Sequence, residues 1–133
     1  MSHFTKCDLK ITNLVALKRA LADLGHTFAE ATAERSVEVR GYKGQKLNAD
    51  ISIDMGKYDI GVVKQADGTY EIVADWWGVE TTRGTTEKEF VEELNQKYAY
   101  QRVVIACEEQ GYTLEETVNQ EDGKIALTMK KWE

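Results

Sequence analysis

From Val37 to Trp77 apolar side chains recur at about every second position, and that period commits the middle of the chain to β-strands. Val37 and Val39 alternate with Glu38 and Arg40. Leu47, Ala49, Ile51 and Ile53 alternate with Asn48, Asp50, Ser52 and Asp54, which predicts one amphipathic strand, the clearest in the chain. There is no proline, so turns must rest on Gly, Asn and Asp. Gly41 and Gly44 bracket one turn and Gly56-Lys57 mark another. Residues 58–65 and 70–77 flank Asp67-Gly68, a two-residue hairpin signal, because both central residues of such a turn need positive φ. That loop sets Lys64 against Glu71, Val62 against Val73 and Tyr58 against Trp77 on one face. On the other face it sets Gln65 against Tyr70, Val63 against Ile72 and Gly61 against Ala74. Both faces are therefore apolar, as in a strand covered on two sides or one with a face left for a partner.

Helical periods frame this β-rich centre. A strand over 5–11, with Cys7, Leu9 and Ile11 on one side, leads to Leu14, Leu17, Leu21 and Leu24 at spacings of three and four. Thr12 or Asn13 can cap that helix and Gly25 can end it, which places it at 13–24. Residues 26–31 carry a shorter, less regular strand pattern, and 81–85 read as a loop. Thr86 and Glu89 have capping-box spacing. Phe90, Leu94, Tyr98 and Ile105 then share a stripe in which Gln101 stands where another apolar residue is due, up to Gln110 and Gly111. So long a helix invites a break near Tyr98 to Tyr100. A last hairpin, 113–120 with 124–132 around Asp122-Gly123, pairs Val118 with Leu127 and Gln120 with Ile125, and turns Leu114 and Met129 to the core. The expected fold is α+β: a single domain over 1–133, with one mainly antiparallel sheet and two helices packed on one face.

Composition narrows the function classes. The 133 residues carry 17 Lys+Arg against 23 Asp+Glu, a net charge of −6, which disfavours phosphate-driven nucleic-acid binding. No stretch is apolar for the roughly 18 residues that a membrane helix needs, and the first dozen residues show no apolar signal-peptide core. Cys7 and Cys107 make neither a disulfide framework nor a zinc site. Cys7 reads as a buried thiol. Cys107, beside Glu108 and Glu109, reads as a poor nucleophile. His26 follows a helix-ending glycine and reads as a turn residue. His3 has the spacing of a terminal copper or nickel site only while Met1 is retained. Asp50, Ser52 and Asp54 would form an acidic stripe that is more simply solvated surface. No phosphate-binding loop, nucleophile elbow or metalloprotease motif occurs, and no cofactor, metal ligand or catalytic residue is assigned.

The most unusual local feature is Asp75-Trp76-Trp77-Gly78. In a regular strand the two indoles face opposite sides, so one packs under the helices and the other lies near Tyr58. An exposed Trp beside a Tyr suits a protein interface or a ring-stacking ligand. The plainer alternative is that the 26–45 segment covers it. Tyr58, Asp75, Trp76 and Trp77 are the candidate partner- or ligand-binding residues, with Asp54 and Arg40 as further polar handles and Trp132 as a possible neighbour.

Several short motifs in order carry a family resemblance: Met1-Ser2-His3-Phe4, residues 17–25, Tyr58-Asp59-Ile60-Gly61, Asp75-Trp76-Trp77-Gly78, Gln96-Lys97-Tyr98, Gln110-Gly111-Tyr112, Asp122-Gly123 and Trp132. With them the chain resembles, over nearly its whole length, a family of small plastid and cyanobacterial proteins, the hypothetical chloroplast reading frame thirty-five, with relatives in other bacteria. The resemblance implies a soluble cytoplasmic or stromal protein without assigned catalytic residues. Family members are often encoded near AAA+ ATPases and ferredoxin-like proteins, which implies work inside an assembly with such a partner. The expectation is a non-catalytic binding or adaptor protein that holds a partner chain or a copy of itself. The alternative is a binder of a nucleotide-like small molecule, or an enzyme with a Trp-lined site.

Overall fold

The computed structural model describes residues 4–41, 44–119 and 125–131. His3, Gln120, the Asp122-Gly123 turn and Trp132 lie outside the described residues, as does the side chain of Cys7. The described chain is α+β, but its strands form three antiparallel sheets and it has three helices, not one sheet and two. β1 (Thr5–Ile11) leads into α1 (Leu14–Asp23), where Asn13 accepts from the Ala16 amide as N-cap. β2 (Phe28–Glu30), β3 (Val37–Arg40), β4 (Lys46–Ala49), β5 (Ile51–Asp54), β6 (Asp59–Lys64) and β7 (Tyr70–Ala74) follow. Then come α2 (Trp76–Arg83), α3 (Glu87–Glu109), β8 (Tyr112–Asn119) and β9 (Ile125–Lys131).

The main sheet has the order β1-β7-β6-β5-β2. Its Ile51, Ile53, Ile60, Val62, Ile72 and Ala74 point to one face, where they meet Leu17 and Leu21 of α1, Val79 of α2 and Phe90, Leu94 and Tyr98 of α3. α3 runs unbroken through Tyr98 to Tyr100. The Tyr98 hydroxyl accepts from the Thr12 and Asn13 amides at 3.0 and 2.9 Å, which ties mid-helix to the start of α1. Gln101 is buried and donates to Asp23, so the polar residue in the apolar stripe is a second tie between the same helices.

The opposite face is covered by the β3–β4 hairpin. The amphipathic run expected over 47–54 therefore belongs to two sheets. Its first half pairs with β3 and its second half with β2 and β6. Asp50 is the corner, with its amide on the Val62 carbonyl, its carbonyl on the Ala31 amide and its carboxylate on the Lys64 amide. Val39 and Ala49 are buried beside Val73 and Gly61. Glycine is needed at 61, because a Cβ there would lie 2.6 Å from Val39 Cγ2. The two apolar faces of the central hairpin thus reflect two covers from the same chain.

Two hairpin registers differ from the expected ones. Gln65 N donates to Thr69 O, which makes Ala66-Asp67-Gly68 a three-residue loop. Gly68 takes φ 87°, and the Asp67 carboxylate accepts from both the amide and the hydroxyl of Thr69. Partners move by one, so Val62 opposes Ile72, Lys64 opposes Tyr70 and Gly61 opposes Val73. In β8–β9, Val118 opposes Ala126 and Asn119 opposes Ile125, and an extra residue before Glu116 shifts the register once more so that Leu114 opposes Met129. Leu114 is 37% exposed, so it does not face the core.

Candidate functional site

β7 stops at Ala74 because Asp75 caps a helix instead of continuing the strand: its carboxylate accepts from the Gly78 amide at 3.2 Å. Residues 76–83, expected as the end of a strand and the start of a loop, form α2, closed by Gly84 in the left-handed conformation. The tandem indoles still separate, by helical rotation rather than strand alternation. Trp76 is buried and lies 5.8 Å from the Phe90 ring, which in turn lies 5.5 Å from His26. Trp77 is 51% exposed.

Tyr58 and Asp75 are both buried. A Cβ on Gly78 would meet three Tyr58 ring atoms at 3.1 Å, so the phenol ring lies against the α2 backbone and supports it. Of the four candidate residues, Asp75, Trp76 and Tyr58 therefore hold α2 in place and Trp77 is the one it presents. Helix capping had a local signal that the strand reading overrode: Asp75, a favoured N-cap residue.

Next to Tyr58 is a charged clamp. Arg40 gives Asp59 a two-pronged contact, Nε to Oδ2 and Nη2 to Oδ1, both 2.8 Å, and its amide donates to the same carboxylate. Nη2 also reaches the Gly56 carbonyl at 2.8 Å and Asp54 Oδ1 at 3.3 Å. The hydrogen bond to Asp59 outweighs burial and raises the Arg40 pKa further above its usual value. Asp59 is buried between apolar neighbours, a position where a carboxylate needs a partner. An acid inside a strand of Tyr58, Ile60, Val62 and Val63 was the readable signal for this site, but the partner comes from a strand nineteen positions away. The clamp pins β3 to β6 and to the 55–58 turn, and it leaves Arg40 with carboxylates already bound.

A groove of about 480 Å³ opens here, lined by Arg40, Gly41, Gly44, Gln45, Lys46, Lys57 and Tyr58. The acidic stripe expected from Asp50, Ser52 and Asp54 is not formed. Asp50 holds the Lys64 amide, Ser52 is buried, and Asp54 holds the Gly56 amide and Arg40. Cys107 is half-buried and free. Among the described residues no three His, Cys, Asp or Glu side chains are placed to hold a metal ion, and no helix is long and apolar enough to cross a membrane.

His26 sits half-buried against Phe90. Its desolvation there, with the nearby Arg83 charge, lowers its pKa below 6.5, and Glu93 opposes the shift in part.

A family model described as "Protein of unknown function (DUF1257)" matches residues 20–128. Among curated relatives, "Uncharacterized protein ycf35" of Guillardia theta is 35% identical over 140 residues, covering 99% of this chain and 98% of the relative. Proteins of the same description from Cyanophora paradoxa and Pyropia yezoensis are 31% and 30% identical, with the same coverage. No solved structure matches the chain.

Proposed function

The chain belongs to this family of proteins of unknown function, and we propose that within it the protein is a non-catalytic binding module that holds a partner protein on the α2 surface. It works in the cytoplasm or the stroma, inside an assembly that can include an AAA+ ATPase or a ferredoxin-like protein. The observation that carries the reading is Trp77. That residue is 51% exposed on a short helix whose flanking residues, Asp75, Trp76, Gly78 and Val79, are all buried. A rigidly mounted aromatic loses little conformational freedom when a partner covers it, and Trp is enriched among residues that dominate interfaces.

The test is affinity capture from the source cell, comparing wild type with Trp77→Ala and Trp77→Phe. A partner retained by wild type, retained in part by Phe and lost by Ala, with all three proteins equally folded, supports the reading. Equal capture by all three removes Trp77 from the contact.

The groove beside Arg40 supports a second reading, a site for a nucleotide-like anion at Lys57, since its size is within the usual range of ligand pockets. ATP and ADP are the probes. A thermal shift that Lys57→Ala abolishes supports it, and no shift with either nucleotide discards it.

A further inference from the structure

We propose that β9 is a dimerisation edge, pairing antiparallel with β9 of a second copy to make a four-stranded sheet from two β8–β9 hairpins. The starting observation is that, among the described residues, β8–β9 is a sheet of its own, hydrogen-bonded to no other strand. Among its described side chains none is buried and none joins the core. A hairpin alone is marginal in water, whereas three or more strands with an apolar face are stable. Tyr112, Leu114, Leu127 and Met129 share one face by register, so the hairpin has the apolar face and lacks the strands.

The register chooses the occupant. With Thr128 opposite its own copy, Leu127 faces Met129 of the second chain, Met129 faces its Leu127, and Ala126 faces its Lys130. No like charges are opposed. The two faces carrying Leu127 and Met129 come to the same side, which doubles the apolar strip. β8 has no equivalent solution: it carries Glu115 and Glu116 together, and an extra residue interrupts its pairing there. The other edges are poorer still. The pairing of β1 is irregular between Cys7 and Ile11, and β2 has three residues. β9 is thus the one long, uninterrupted and acid-free edge among the described strands, and its closest match is itself.

Sedimentation equilibrium and cysteine cross-linking test this. Thr128→Cys places the two thiols on the two-fold axis with Cα atoms roughly 4.5–5.5 Å apart, inside the range a disulfide spans. Diamide oxidation is expected to yield a covalent dimer from Thr128→Cys. Thr113→Cys on β8, and wild type with only Cys7 and Cys107, should stay near background. Met129→Lys sets a charge against Leu127 of the second chain and is expected to reduce a two-chain mass to one. A one-chain mass for wild type at every concentration overturns the proposal, as does a Thr128→Cys yield no higher than Thr113→Cys. A dimer that Trp77→Ala dissociates and Met129→Lys preserves overturns it too and assigns association to α2.

Discussion

Gly61→Ala tests whether the chain itself closes the second face of the main sheet. The new Cβ would lie 2.6 Å from Val39 Cγ2 and 3.5 Å from both Ala49 Cβ and the Val73 carbonyl. Carbon atoms pack at about 3.5–4.0 Å, so Val39 must retreat by about 1 Å. Val39 is fully buried and its β-branched side chain is stiff at χ1, so the β3–β4 hairpin must move with it. An extra methyl in a filled core costs about 1–3 kcal/mol, and replacing glycine in a strand returns about 0.5–1 kcal/mol. The net expectation is a loss of about 1–2 kcal/mol, or a melting midpoint lower by about 3–8 °C. Urea titration followed by Trp fluorescence measures it. Val39→Ala, itself destabilising, should absorb the new methyl, so the double variant should be more stable than the sum of the two losses by about 1 kcal/mol. A Gly61→Ala protein as stable as wild type, or strictly additive losses, would refute the close packing. The sheet face would then be open, and the apolar pattern of β6 and β7 would belong to a partner.

Three further outcomes follow from the same geometry. Arg40→Gln strips the buried Asp59 carboxylate of its two-pronged partner. It should cost about 1–3 kcal/mol, less than a fully buried pair would because the guanidinium is half exposed, and adding Asp59→Asn should restore part of the loss in urea titrations. Tyr98→Phe leaves the Thr12 and Asn13 amides without their shared acceptor, with an expected loss of about 1–3 kcal/mol by the same assay. Because the folded His26 pKa lies below its unfolded 6.5, the unfolded chain binds the proton first as pH falls. The contribution of neutral His26 is therefore full above 6.5 and declines as pH drops toward the folded pKa. His26→Gln should flatten that part of the stability profile, and Arg83→Gln should raise the folded pKa in an NMR titration and reduce the slope.

Helix ends were legible in the chain because capping is local chemistry: Asn13 with Ala16 and Thr86 with Glu89 each act within one turn. The sites of turns at Gly25, Gly68 and Gly111 were legible for the same reason, since positive φ is a property of the residue itself. So was the apolar stripe of α3, whose only polar member, Gln101, proved to be a buried tie. The candidate site was half legible. Asp75-Trp76-Trp77-Gly78 stood out, but an indole pair reads the same whether a strand or a helix separates it.

Tertiary structure decided the rest. Alternation over 47–54 states that side chains point to alternate sides, and says nothing of which sheet each half joins. Asp50 became a corner because Val39 and Ala49 could be buried only by folding back over Gly61. Asp59 and Arg40 acquired each other through that same fold-back, from strands that do not neighbour one another in sequence. Whether residues 70–77 stay extended was settled where Asp75 capped α2 and Tyr58 offered that helix a ring to rest on. Periodicity carries the direction of each side chain; what lies in that direction depends on contacts between distant segments, and only the folded chain supplies them.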